Sequence, residues 1–234
     1  MKKALQLGSR FSFSPNALGY CGLQSAGKKL KECIEKDECK DVEKELKNFI
    51  TLHPYLQVLE KIIGKPRFSY ETTEAYWLGN DLLKRAKPKD YLLLLKYFGK
   101  QGVPDFFIKE LEVKKPKFFI PNHLFQVLHV GVGKASSAVP FNIKSINNCM
   151  IRWGKVEKIT GQKAIVKLNS LKKTKNKYSL IKLKETIGFK KWLTKDLKIG
   201  NVVAAHWGLV VKVLTKKEEG NLKFWTQQVC KLDF

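Results

Sequence analysis

Arginine is nearly absent from this chain. Lysine and arginine together number 45, yet only Arg10, Arg67, Arg85 and Arg152 are arginine. Arginine is the side chain that clamps phosphate with paired hydrogen bonds and reads guanine edges. The formal net charge of +24 is therefore a lysine charge, and it reads first as a solvated coat. Cysteine pairs of the CxxC type are also missing. The five cysteines, Cys21, Cys33, Cys39, Cys149 and Cys230, are odd in number and match no disulfide framework, so free thiols and a reducing, cytoplasmic setting are expected. No apolar run approaches the ~20 residues of a membrane span; "YLLLLKYF" is the longest. In "MKKALQLGSRFSFSP", Gly8, Ser9 and Arg10 interrupt the stretch a signal peptide would need. "GVGKAS" lacks the spacing of a phosphate-binding loop.

What the chain has is enough apolar material for a proper core: 44% hydrophobic and 11% aromatic over 234 residues, which excludes a disordered protein. Its character changes near residue 140. Before that point, "SAGKKLKECIEKD", "DVEKELKNFITL", "YETTEAYWLGNDLLKRA" and "KDYLLLLKYFGKQG" carry apolar residues at helical spacing. "NHLFQVLHVG" reads as a further helix or a buried turn segment. "VGVGKASSAVPFN" is small and flexible, a linker.

After the linker the period becomes two. Ala164, Val166 and Leu168 share a face, as do Val202, Ala204 and His206, and Leu209, Val211 and Val213. "CMIRWGKVEKITGQKAIVKL" reads as two strands around a tight turn, opening at Cys149. "LKKTKNKYS" reads as a long basic hairpin loop. Thr215 and Glu218 in "TKKE" form a capping box for a last helix. The expected architecture is α+β: an all-helical region at 1–140, then a small OB-like β-barrel with a C-terminal helix at 141–234.

Two residues in the second region stand out as chemistry, Cys149 and His206. Cys149 is followed by Gly154-Lys155-Val156, then by Gly161 and Ala164-Ile165-Val166. Gly200, five residues, His206, one residue and Gly208 complete a G-x5-H-x-G strand. In these features residues 147–230 resemble the HypC/HupF family of nickel–iron (NiFe) hydrogenase maturation chaperones. Trp153, Asn201 and the internal position of Cys149 depart from the family pattern. The resemblance implies a carrier, not an enzyme. It implies that Cys149 and His206 hold an iron bearing cyanide and carbon monoxide, Fe(CN)2CO, passed between a HypD-like scaffold protein and a NiFe-hydrogenase large subunit. The first 140 residues, through "RFSFSPNALGYCG", "EAYWLGNDLL" and "HLFQVLHVG", resemble an uncharacterised bacterial family that carries a HypC-like tail.

Thiolate and imidazole are strong donors for low-spin iron independently of any family. Cys21, in a loop between Tyr20 and Gly22, and His129, before "VGVG", form a second candidate pair. His123 and His129 are six residues apart, which does not align them on one helix face. Two competing readings remain. One is an OB-fold nucleic-acid-binding protein using Lys172, Lys173, Lys175 and Lys177. The other is an enzyme using a Cys149–His206 dyad as nucleophile and base.

Overall fold

A computed structural model describes residues 1–135, 138–175 and 177–232. Helices come first: α1 (Lys2–Ala17), α2 (Ala26–Glu35), α3 (Val42–Lys47), α4 (Leu52–Ile63), α5 (Tyr70–Trp77), α6 (Asp90–Lys100), α7 (Asp105–Val113), α8 (His123–Phe125) and α9 (Ile143–Cys149). A 3-10 turn at Asp81–Arg85 follows α5, and a π-turn at Gln126–Gly131 continues α8. Five strands follow: β1 (Arg152–Thr160), β2 (Lys163–Thr174), β3 (Lys177–Gly188), β4 (Val202–His206) and β5 (Leu209–Val213). They close as a barrel in the order β1-β2-β3-β5-β4. The last helix, α10 (Lys216–Cys230), starts at the expected capping box of Thr215 and Glu218. The α+β class and the small barrel expected from the residue pattern are thus observed.

The N-terminal segment "MKKALQLGSRFSFSP" folds as the helix at the centre of the helical region. Leu5, Leu7 and Phe11 of α1 are buried, as are the small Ser9 and Ser12, and α1 packs on α2, α3 and α5. Several helices are shorter than their periodicity suggests. "DVEKELKNFITL" breaks after Lys47 and resumes as α4. "YETTEAYWLGNDLLKRA" stops at Trp77, because Gly79 takes a left-handed φ of +78° and Asn80 caps the 3-10 turn by accepting from the Leu82 N–H. That glycine is needed for space as well. A Cβ there would lie 2.3 Å from the Trp225 ring of α10.

One thiol expectation is corrected. Cys33 and Cys39 form a disulfide. Asp37, at φ +68°, turns the chain back after α2 and brings Cys39 onto its partner. Cys21, Cys149 and Cys230 are free. The expected basic loop is also corrected. β2 and β3 stay paired without slippage out to Thr174 and Lys177, so Lys172, Lys173 and Lys177 stand on a long hairpin rather than in a loop.

Two apolar clusters organise the packing. The barrel interior is one: Val156, Ala164, Val166, Leu168, Val203, Ala205 and their neighbours. The other runs from Leu5 of α1 through the helices to Cys149, Trp153, Ala204, Val211 and Val229. It therefore takes in the outer face of the barrel and α10. Along β4 the alternation sends Val203 and Ala205 inward and Ala204 outward into the larger cluster. His206 ends β4 on that outward side, against α1 rather than within the barrel.

Candidate metal centre

Pairing of β1 with β4 sets the site. Arg152 lies opposite Ala205, so the segment leading into β1 runs beside the end of β4. Cys149 is in that segment. It is the last residue of α9 rather than the first of a strand, and the Trp207 N–H donates to the Asn148 carbonyl at 2.8 Å. On its other side β1 approaches β2 so closely at Gly154 that a Cβ there would lie 2.0 Å from the Lys167 carbonyl oxygen. The β1–β4 pairing brings Cys149 and His206 together, both buried.

A third residue joins them from the helical region. One ligand atom each of His123, Cys149 and His206 lies within 4.8 Å of the others. The Cys149 Sγ is 3.9 Å from His123 Nε2. Ligands bound to one ion at about 2.0 and 2.3 Å are roughly 3.5 Å apart at the tetrahedral angle, so this set is close to the spacing a metal needs. Asn122 fixes His123 at the start of α8, its side chain accepting from the Phe125 N–H at 2.9 Å. His123 was the histidine that helical spacing set aside; the fold selects it by bringing α8 against α9 and β4.

Each imidazole is oriented from its Nδ1 side. His206 Nδ1–H donates to the Phe11 carbonyl of α1 at 2.6 Å, which fixes the tautomer and leaves Nε2 with a lone pair. The Tyr76 hydroxyl donates to His123 Nδ1 at 3.1 Å, while His123 Nε2–H donates to the Cys149 carbonyl at 2.8 Å. The same carbonyl also faces His206, but buried His206 Nε2 makes no hydrogen bond of ordinary geometry and, in the tautomer the Phe11 carbonyl fixes, has no proton to give it. Trp77 packs against both rings, with centroids 4.6 Å from His123 and 5.9 Å from His206.

Burial sets the ionisation. It pushes His206 down to about 4, and it pushes His123 to about 3 with help from the neighbouring His206. Both are neutral ligands at any ordinary pH. Burial also holds the Cys149 thiol well above its usual range, against a small opposing effect of the Trp207 indole. That indole N–H faces the sulfur but makes no hydrogen bond of ordinary geometry. Trp207 and Gly208 take φ of +49° and +71°, the two left-handed positions of a type I′ hairpin turn. A tryptophan there is strained, and the strained turn keeps its ring against Tyr20 with centroids 4.6 Å apart.

A cavity of about 50 Å³ opens onto His123, Cys149 and His206. Cys21, Tyr20, Ser12, Trp77 and Trp207 are among the residues lining it. That is space for a few small molecules, one water needing ~10–15 Å³. Cys21 is half-buried at this cavity, its thiol pushed up to about 12 by desolvation. His129 is elsewhere: its Nε2 pairs with the Tyr91 hydroxyl at 2.9 Å, and it lines a different cavity. The second candidate pair is therefore split between two places.

The hairpin lysines stand apart from all of this. Lys173 Nζ sits 5.5 Å over the Tyr178 ring, and Lys175 occupies a left-handed turn position.

A family model described as a family of unknown function, DUF6390, matches residues 2–233. The chain belongs to DUF6390. The match spans the helical region, the barrel and α10, and so includes His123, Cys149 and His206 of this DUF6390 chain. No curated protein and no solved structure matches it. No helix among the described residues is long and apolar enough to cross a membrane.

Proposed function

We propose that this protein is a metal-centre carrier in which Cys149, His206 and His123 hold a transition-metal cargo. The observation that carries the reading is the His206 side chain. It is buried, its Nδ1 is locked by a backbone carbonyl, and its Nε2 is unpaired and turned toward a cysteine and a second histidine. A buried polar atom without a partner is destabilising, and a metal would remove that penalty. One thiolate and two neutral imidazoles suit iron, zinc or copper rather than magnesium or calcium.

The resemblance to HypC-type chaperones specifies the cargo further: iron as Fe(CN)2CO, received from a HypD-like scaffold and delivered to a NiFe-hydrogenase large subunit. Three protein donors leave positions for diatomic ligands, and the small cavity walled by Tyr76 and Trp77 is of the right character for them. His123 adds to the cysteine and histidine of that resemblance a ligand from the helical region. In this reading Cys149 loses its proton on loading and His206 enters as a neutral base through Nε2. His123 exchanges tautomer, its proton moving from Nε2 to Nδ1, where it donates to the Tyr76 hydroxyl and leaves Nε2 free of the Cys149 carbonyl. Trp207 N–H faces the new thiolate.

The two alternatives have less support. An activated nucleophile needs a lowered thiol pKa, whereas burial raises that of Cys149. A single-strand-binding barrel needs exposed aromatic platforms, whereas Trp153 is buried and Trp192 and Trp207 pack against Phe13 and Tyr20.

Metal analysis of anaerobically purified protein, combined with infrared spectra in the cyanide and carbonyl stretching region, tests the reading. One iron per chain with those bands is expected, and both should vanish in Cys149→Ala. Protein that neither retains nor takes up iron, zinc or copper would overturn the metal site. Metal without the bands would overturn the cyanide–carbonyl cargo alone.

A further inference from the structure

We propose that a groove between the 3-10 turn, the segment 114–120 and α10 binds a long-chain carboxylate. The groove holds about 610 Å³, within the ~300–1,000 Å³ of small-molecule sites and far larger than the metal cavity. Its apolar wall comes from Leu83, Phe118, Phe119, Ile120 and Trp225. Phe118 is 65% exposed, an unusual state for an aromatic ring beside other apolar surface.

The charge at the rim selects the ligand. Among the described residues five lysines line the groove, Lys84, Lys114, Lys115, Lys117 and Lys231, and no carboxylate does. Lys84 and Lys114 are engaged by Asp81 and Glu110. Lys115, Lys117 and Lys231 have no ion pair among the described residues. Three free ammonium groups beside an apolar wall complement an anion with an apolar body. No arginine is present to grip a phosphate with a paired fork, so a carboxylate head fits the lysines better. A peptide fits less well, because it brings a donor and an acceptor at every residue and the lining side chains other than lysine offer only the Gln228 amide and the Trp225 indole N–H.

This inference is independent of the metal site. Its test is calorimetric titration of the full chain with dodecanoate below the concentration at which it forms micelles. A bromine-labelled fatty acid serves as a quencher of tryptophan fluorescence. Saturable one-to-one binding is expected, with quenching lost in Trp225→Phe. Affinity should fall about tenfold in Lys115→Glu/Lys117→Glu, since two attractive charges become repulsive. Those positions are exposed, so the fold is not at stake; Phe118→Asp, equally exposed, should abolish binding. Absence of saturable binding, equal affinity for uncharged dodecanol, or equal affinity in the double lysine variant would each overturn the proposal. So would binding to phosphatidylglycerol vesicles without binding of the free acid, which would make the groove a membrane contact.

Discussion

The two apolar cores of this protein differ in what they leave unsatisfied. The barrel interior is built of valine, alanine, leucine, isoleucine and phenylalanine, and the polar groups buried on the same strand faces are satisfied: Arg152 donates to the Ser170 hydroxyl and to the Glu185 carboxylate. The larger core, between the helices and the barrel's outer face, has unpaired buried polar atoms beside it: Ser9, Ser12, Thr73, Trp77 Nε1, His206 Nε2 and Trp207 Nε1. A natural core keeps few such atoms, and those around Trp77, His206 and Trp207 converge on one small cavity. The barrel interior is scaffold. The candidate site lies where the barrel's outside meets the helices, so neither region holds it alone.

The sharpest way to break this comparison is to separate the regions. The larger cluster contains Leu5 and Phe11 together with Trp153, Val211 and Val229, so each half exposes apolar surface when cut. Residues 1–140 expressed alone should show no cooperative thermal transition. Residues 141–234 should keep the barrel interior yet bind metal far more weakly, having lost His123. A sharp transition in the first fragment, followed by calorimetry, would show instead that the helices complete a core of their own.

Next in size is a pair of substitutions, one in each core. Leu168→Ala, in the barrel interior, should cost about 2–5 kcal/mol in denaturant unfolding while the remaining folded protein binds metal normally. Cys149→Ala should cost only about 1 kcal/mol and abolish metal binding. If Leu168→Ala lowered metal affinity as strongly as Cys149→Ala, the interior would be part of the site rather than its support.

How much of this was legible depends on how far apart in sequence the interacting residues lie. Ala164, Val166 and Leu168 declared their common face because a strand repeats every two residues, and Thr215 and Glu218 declared a helix start because a capping box is local. Cys149 and His206 could be singled out by spacing within one region. His123 could not, since its partners are 26 and 83 positions away and its own helix gives it no neighbour of like chemistry. The Cys33–Cys39 bridge was hidden for a related reason: it depends on Asp37 adopting a left-handed turn, which nothing in the cysteine spacing announces. The basic hairpin was misread because lysines without glycine or proline resemble a solvated loop, whereas the β2–β3 ladder simply continues through them.

Acidity sharpens the comparison further, because only the larger core holds titratable ligands. Binding must displace the Cys149 proton, so affinity should rise about tenfold per pH unit across neutral pH. His206 and His123, at about 4 and 3, add no slope there. The metal-free fold responds in the same direction. Its histidines titrate below the ordinary 6.5, so the unfolded chain binds protons first as pH falls. Stability is complete above about pH 6.5 and is lost on the way down to pH 4 and below. Denaturant midpoints at stepped pH check this, and His206→Gln should flatten the decline. A midpoint that rose on acidification would mean that the imidazoles are charged in the fold, against the ligand role.

The smallest expected effect isolates a single N–H. Trp207→Phe keeps a ring against Tyr20 and leaves the strained turn in place, but removes the indole N–H. In the metal-free protein that N–H faces the neutral Cys149 thiol without ordinary hydrogen-bond geometry, so its removal costs at most a weak contact. Stability should change by less than about 1 kcal/mol. With metal bound, Cys149 is a thiolate, and a hydrogen bond to a charged acceptor contributes about 1.5–3 kcal/mol. Affinity should therefore fall by roughly tenfold or more while the unfolding midpoint barely moves. Metal titrations of the two proteins, set beside their unfolding curves, give the two numbers. Equal affinities would mean that the strained turn holds Trp207 for its ring alone, and that the thiolate is supported by the imidazole shell without it.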